Sequence, residues 1–201
     1  MSLCESNPEG STYPIASPAP SAAAAHLAGI INIPTHLLPA WAGWLVAYDK
    51  PFYLIIEPNW LQSAVRDLIA IGLDQIGGYI KPSALQQLTN SQRDQLAQSY
   101  QITTPQQIAQ QVLDGDVTLV DVRSQAEWDG GRLPGATHIM LGYLSERANE
   151  VMNGKPIVVQ CRSGARVAIA ASILQAQDAK QPINMIGGYR AWAQAGLPIE
   201  R

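Results

Sequence analysis

Thiols are scarce in this chain of 201 residues, which carries only Cys4, in a polar and loose N-terminal stretch, and Cys161. That usage speaks against a structural disulfide framework and suits a reducing cytoplasm. Histidine is equally sparse. His26, His36 and His138 are isolated, and neither cysteine has a second thiol or imidazole at ligand spacing, so a metal site is not expected. Aromatics make up 6% of the chain, no basic block is present and the net charge is −3, which gives no footprint for nucleic acid. No apolar run reaches the ~20 residues that span a bilayer. No basic segment precedes an apolar core at the N-terminus, so neither a membrane span nor a secretory signal is visible. What remains is a chain with 47% hydrophobic residues, enough to bury a core, and long enough for one large or two small domains. Small molecules or proteins are the expected partners.

One stretch carries chemistry. Ile157-Val158-Val159-Gln160 has strand character and runs into Cys161-Arg162-Ser163-Gly164-Ala165-Arg166, after which an apolar run over 167–174 predicts a helix. A loop between a buried strand and a helix N-terminus turns free backbone N–H groups inward, and the helix dipole adds positive potential there. Flanking arginines and a helix N-terminus both favour the thiolate, which is the nucleophilic form of cysteine. The competing reading is a small buried hydrophobe at a strand end, the commoner fate of a lone cysteine. Two arginines in the loop argue against it, because charged loops are seldom buried around an inert thiol.

Three further motifs stand in register with this loop: Thr118-Leu119-Val120-Asp121-Val122-Arg123-Ser124, Gly131-Arg132-Leu133-Pro134-Gly135-Ala136, and Gly187-Gly188-Tyr189-Arg190-Ala191-Trp192 with Ala195-Gly196-Leu197-Pro198. Together they resemble the rhodanese family of sulfurtransferases over residues 101–201. The resemblance implies a cofactor-free transfer in which Cys161 carries sulfane sulfur as a persulfide. The donor is expected to be thiosulfate or a small persulfide or polysulfide, and the acceptor a thiol or cyanide. It makes Cys161 catalytic and Arg162, Ser163, Gly164, Ala165 and Arg166 substrate-binding, with Ser163 and Ala165 contributing backbone N–H groups. From Cys161 to Arg166 the loop spans six residues. The phosphatases that resemble rhodaneses use a loop one residue longer, so its length is similar to that of the sulfur-transferring members. A phosphatase or arsenate reductase, or a non-catalytic persulfide carrier or docking module, are the alternatives. Arg162 is expected to face an anionic donor at the mouth. Arg166, a cation set against the helix dipole, needs a partner, either the substrate or Asp121. Asp121 itself, Trp128, Trp192 and Gly187-Gly188 read as structural.

The chain also repeats itself. His26-Leu27-Ala28-Gly29 parallels Arg132-Leu133-Pro134-Gly135 at an offset of 106, Lys50-Pro51 parallels Lys155-Pro156 at 105, and Gly77-Gly78-Tyr79 parallels Gly187-Gly188-Tyr189 at 110. An internal duplication explains these landmarks. Phe52-Tyr53-Leu54-Ile55-Ile56 then corresponds to the strand before Cys161, but Ile56 or Glu57 stands where the cysteine should be, so the first copy has no nucleophile. A short strand is expected over 12–15 in place of the Asp121 motif, and a helix over 64–71. A full unit opens with a helix such as Thr104-Pro105-Gln106-Gln107-Ile108, with Thr104 as cap and Pro105 at the first position. No such helix is expected in the first copy, because nothing of that length precedes residue 12 in this sequence.

The expected fold class is therefore α/β, with two rhodanese-like open parallel sheets, helices on both faces, and the first sheet incomplete. The expected division is 1–80 as a degenerate, inactive rhodanese-like domain, 81–100 as a connector without strand signal, and 101–201 as the catalytic domain. An inactive copy with Trp41-Ala42-Gly43-Trp44 before an active one resembles the C-terminal half of bacterial fusions in which a persulfide dioxygenase precedes the rhodanese units. That resemblance makes a fused or associated persulfide dioxygenase an expected partner, and the chain the C-terminal part of a longer protein.

Overall fold

The computed structural model describes residues 15–16, 26–27, 29–87, 97–179 and 181–201. Expectations for Cys4, for most of the 12–15 strand and for the middle of the 81–100 connector lie outside these residues.

Two parallel sheets form an α/β fold. The second contains β7 (Gln101–Thr103), β8 (Thr118–Asp121), β9 (Thr137–His138), β10 (Ile157–Gln160) and β11 (Ile183–Met185) in the order β7-β11-β10-β8-β9. Strands β8 and β10 are buried at every position, which is why adjacent apolar residues, Leu119-Val120 and Ile157-Val158-Val159, stand side by side instead of alternating with polar ones. Helix α3 (Pro105–Leu113) opens this half with the predicted cap: the Thr104 hydroxyl accepts from the Gln107 N–H, and the Gln107 side chain accepts from the Thr104 N–H.

The first sheet contains β1 (Ile15–Ala16), β3 (Ile31–Asn32), β4 (Phe52–Ile55) and β5 (Ile76–Ile80) in the order β3-β1-β4-β5. This is the order β9-β8-β10-β11 with, among the described residues, nothing in the place of β7. The pairing registers agree closely. Ile15 lies opposite Leu54 and Val120 opposite Val159, a separation of 39 in each sheet. The Gly77-Gly78-Tyr79 landmark does not follow this correspondence. Those residues lie inside β5, with Tyr79 opposite Leu54, whereas Gly187-Gly188-Tyr189 lies beyond β11 at a helix start. A Gly-Gly pair serves a strand irregularity in one place and a helix entry in the other, so the sequence likeness is not a structural equivalence.

The connector holds a further departure from expectation. Strand β6 (Ala97–Gln98) pairs antiparallel with β2 (His26–Leu27). Two residues carry no readable period, and their pairing is set by a partner far away in sequence.

Helix α6 (Val167–Ala176), which follows the Cys161 loop, is the centre of the molecule, and every residue from Val167 to Gln175 is buried. One of its faces packs on the second sheet through Val120, Ile157 and Val159. The same core continues through Ile31, Ile33, Phe52 and Leu54 of the first half. The Asn32 N–H donates to Ser172 Oγ at 3.0 Å inside this core. Helices α1 (Leu38–Leu45), α2 (Pro58–Ala70) and α5 (Leu144–Arg147) add Leu38, Ala42, Ala64, Leu68 and Leu144 to it. A second cluster lies on the other face of the second sheet, where α3 and α7 (Gly188–Gln194) bury Ile108, Val112, Val158, Met185 and Trp192. Among the described residues no helix is long and apolar enough to cross a membrane.

Candidate active site

Cys161 leaves the carboxyl end of the central strand β10 and is 1% exposed. The loop folds back so that the Gly164 N–H donates to the Cys161 sulfur at 3.1 Å. Gly164 takes φ +100° to do so, a backbone state that L side chains rarely adopt. The Val167 N–H then donates to the Gly164 carbonyl at 3.3 Å and starts α6.

The loop is held from the other side by the first turn of α7. Tyr189 N–H donates to the Cys161 carbonyl at 2.8 Å and Arg190 N–H to the Arg162 carbonyl at 3.1 Å. Such bonding requires close backbone approach: a Cβ on Gly188 would lie 2.0 Å from the Cys161 carbonyl oxygen. These contacts occupy the loop's carbonyls and leave the Gly164 N–H aimed at sulfur.

Arg166 occupies the N-cap position of α6, and its partner is Glu127, not Asp121. The two terminal guanidinium nitrogens donate to the two Glu127 carboxylate oxygens at 2.8 Å each, a bidentate fork in a largely buried setting. Glu127 is the third residue of α4 (Gln125–Asp129), where it closes a reciprocal cap with Ser124. The bond from Arg166 holds the Glu127 carboxyl down to about 2, against an opposing push from burial. Burial pulls the Arg166 guanidinium down, but the bond to Glu127 and the charges around it outweigh that pull, so its pKa is raised.

A rhodanese-like domain family model matches residues 104–195. A sulfurtransferase of Allochromatium vinosum is 39% identical over 84 residues, covering 42% of this chain and 78% of that protein. The chain belongs to the rhodanese-like domain family. The thiosulfate sulfurtransferase GlpE of Haemophilus influenzae is 30% identical over 102 residues, 51% of this chain and 96% of that protein. Among solved structures, a rhodanese-related protein from Thermoplasma volcanium superposes with a TM-score of 0.46 at 24% identity, covering 50% of this chain and 98% of that one.

Within this rhodanese-like domain the six loop residues form one turn. Cys161 is buried, Gly164 and Arg166 are half-buried, and Arg162, Ser163 and Ala165 are exposed. Asp121 is structural, as its sequence context suggests. It is fully buried and grips Arg123, whose Nε donates to both carboxylate oxygens at 2.9 Å and whose terminal nitrogen reaches one at 2.6 Å. Arg123 also donates to the Glu127 and Gly131 carbonyls, and its guanidinium carbon lies 4.3 Å from the centre of the Tyr189 ring. All charged groups of this buried pair are satisfied, so it ties β8, α4 and α7 together around the site. Trp192 is fully buried with its indole N–H donating to the Pro198 carbonyl at 2.8 Å, and Trp128 stacks on His138.

Two contributors escaped sequence reasoning. Glu127 had a signal, because Ser124-x-x-Glu127 is capping-box spacing, but nothing local joins it to Arg166, 39 positions away. Gly188 reads as an ordinary turn glycine until the fold sets it against the Cys161 carbonyl.

Proposed function

We propose that this chain is a sulfurtransferase whose nucleophile is Cys161. The Cys161 thiolate attacks the outer sulfur of thiosulfate, forming the new S–S bond while the old S–S bond breaks and sulfite leaves with the bonding electron pair. A small persulfide reacts in the same way, with its thiolate as leaving group. The resulting Cys161 persulfide is then attacked at its terminal sulfur by cyanide or a thiolate acceptor. Thiocyanate or a new persulfide departs, and the Cys161 thiolate returns. No proton or redox equivalent needs an outside source, and no cofactor takes part.

The observation that carries this reading is a buried cysteine whose sulfur receives the Gly164 N–H at the start of a six-residue loop that ends in Arg166. Fixed donors around a sulfur anion stabilise it as they would an oxyanion, without reorganisation during the reaction. Arg162, the exposed residue that follows Cys161, suits an anionic donor and its leaving group. The names of the relatives support the same chemistry.

Residues up to 80 are, on this reading, an inactive rhodanese-like copy, supported by the shared strand order and the matching registers. A persulfide dioxygenase, fused or associated, remains the natural source of a small persulfide donor.

Intact mass after incubation with thiosulfate or glutathione persulfide tests the proposal. One added sulfur on Cys161, discharged by cyanide with thiocyanate appearing over many cycles, is expected. An unmodified Cys161 with both donors, or turnover of an aryl phosphate instead, would overturn it. Loading without release to any thiol or cyanide would leave a sulfur carrier.

A further inference from the structure

Arginines of the second half fall into two groups. Arg123, Arg132, Arg147 and Arg166 each meet a carboxylate, from Asp121, Glu200, Glu150 and Glu127 in turn. Arg162 and Arg190 do not. Both are exposed, and neither side chain has a hydrogen bond or ion pair among the described residues. The two residues are neighbours across the active-site loop, because the Arg190 N–H donates to the Arg162 carbonyl at 3.1 Å, next to the bond from the Tyr189 N–H to the Cys161 carbonyl at 2.8 Å. The backbones there are in close contact: a Cβ on Gly188 would lie 3.1 Å from the Arg162 carbonyl carbon. Cations at adjoining backbone positions repel each other, and Arg190, in the first turn of α7, is also opposed by the helix dipole. The chain as a whole carries a net charge of −3, so this positive rim beside Cys161 is a local feature that the fold itself does not need.

We propose that Arg190 is a second anion-binding residue of the site, which with Arg162 forms a two-arginine rim that favours sulfur donors carrying negative charge on the part that leaves. The proposal deepens the sulfurtransferase reading and rests on Cys161 being the nucleophile. The sulfonate oxygens of thiosulfate and the carboxylates of glutathione are such groups, and planar guanidinium forks match both. An anion seated between the two arginines also relieves their repulsion. As the S–S bond of the donor breaks, negative charge grows on the leaving group, so cations placed there act on its departure as well as on binding. Arg166 does not serve this purpose, since both its terminal nitrogens are held by Glu127.

The test compares alkylation of Cys161 by iodoacetate, an anion, with alkylation by iodoacetamide, its neutral counterpart, followed by intact mass at low ionic strength in the full chain carrying Cys4→Ser. Taking the ratio of the two rates cancels any change in the thiolate itself. Arg190→Ala should lower the iodoacetate-to-iodoacetamide ratio about 2- to 5-fold, the size of one exposed charge contact, and Arg190→Glu should lower it further. Arg190→Lys should keep most of the ratio. Arg66→Ala, which removes an exposed arginine from α2, should keep all of it. Combining Arg162→Ala with Arg190→Ala should bring the ratio below that of either alone, and high salt should bring the parent toward this double variant. A parent-like ratio in Arg190→Ala and Arg190→Glu would overturn the proposal, as would an Arg190→Lys ratio as low as that of Arg190→Ala. A parent Cys161 that reacts with neither reagent would do so too, since the rim would then guard no open site. Alkylation needs no sulfur donor. A chain that selects anions in this way but accepts no sulfur therefore sinks the transferase reading and leaves an anion-selective thiol, whereas sulfur transfer without the selection sinks only the rim.

Discussion

In the second sheet, β10 passes into a six-residue loop before its helix begins at Val167; in the first, β4 is followed only by Ile56 and Glu57 before α2 starts at Pro58. Strand order and register are shared on either side of this difference. A proline at the first helical position removes an N–H that a cradle would use. An immediate helix start also leaves no turn in which N–H groups could converge. Scaffold and chemistry are thus separable: the sheet needs apolar strands of the right spacing, whereas the site needs a loop of a given length held by a neighbouring helix. The outer faces differ as well. Val158 and Met185 are fully buried under α3 and α7, while Tyr53 and Ile80 at the matching positions are 49% and 38% exposed.

The sharpest break in this comparison is Cys161→Ser. It should abolish sulfur transfer in a thiocyanate assay with an unchanged melting curve, because no thiol in the described part of the first half can substitute. Cys4→Ser should leave the rate as it was. Next, Gly188→Ala should cost about 100-fold or more in turnover, since its Cβ would force the Cys161 carbonyl and the sulfur out of place. Gly77→Ala in the first sheet meets only the movable Tyr53 ring, and its activity should stay within about 2-fold of wild type.

Separating the halves tests how far they depend on one another. Residues 101–201 alone should still transfer sulfur but melt lower by about 10 °C or more, because α6 loses the apolar cover given by Ile31, Phe52 and Leu54. Residues 1–100 alone should show no cooperative thermal transition by circular dichroism, and a stable monomer there would contradict the shared core. On the outer faces, Val158→Thr should destabilise by about 1–2 kcal/mol in urea titrations, and Tyr53→Thr by no more than about 0.5.

The smallest effect is confined to acid. The Glu127 carboxyl is held at about 2 from an ordinary 4.5 by Arg166, so its folded-state pKa is depressed. Its contribution is complete above about pH 4.5 and is lost as the pH falls toward 2. The difference in urea midpoint between wild type and Glu127→Gln should therefore shrink over that window. A difference independent of pH would mean that the fork stabilises nothing through charge.

The sequence by itself determined a good deal. Apolar stretches at 119–120 and 157–159 marked buried strands, Thr104-Pro105 marked a helix start, and Cys161 to Arg166 marked the turn between a buried strand and a helix, because each depends on neighbours a few residues away. The missing cysteine after Ile55 was legible for the same reason. Tertiary structure alone decided the rest. Glu127 holds Arg166, Gly188 yields to the Cys161 carbonyl, β6 finds β2, and α6 is buried between two sheets instead of one. These are contacts between residues distant in the chain, and their geometry follows from how sheets and helices pack rather than from any local pattern. The Gly77-Gly78-Tyr79 likeness shows the limit from the other direction: a short identical string has no meaning for the fold until pairing register decides where it lies.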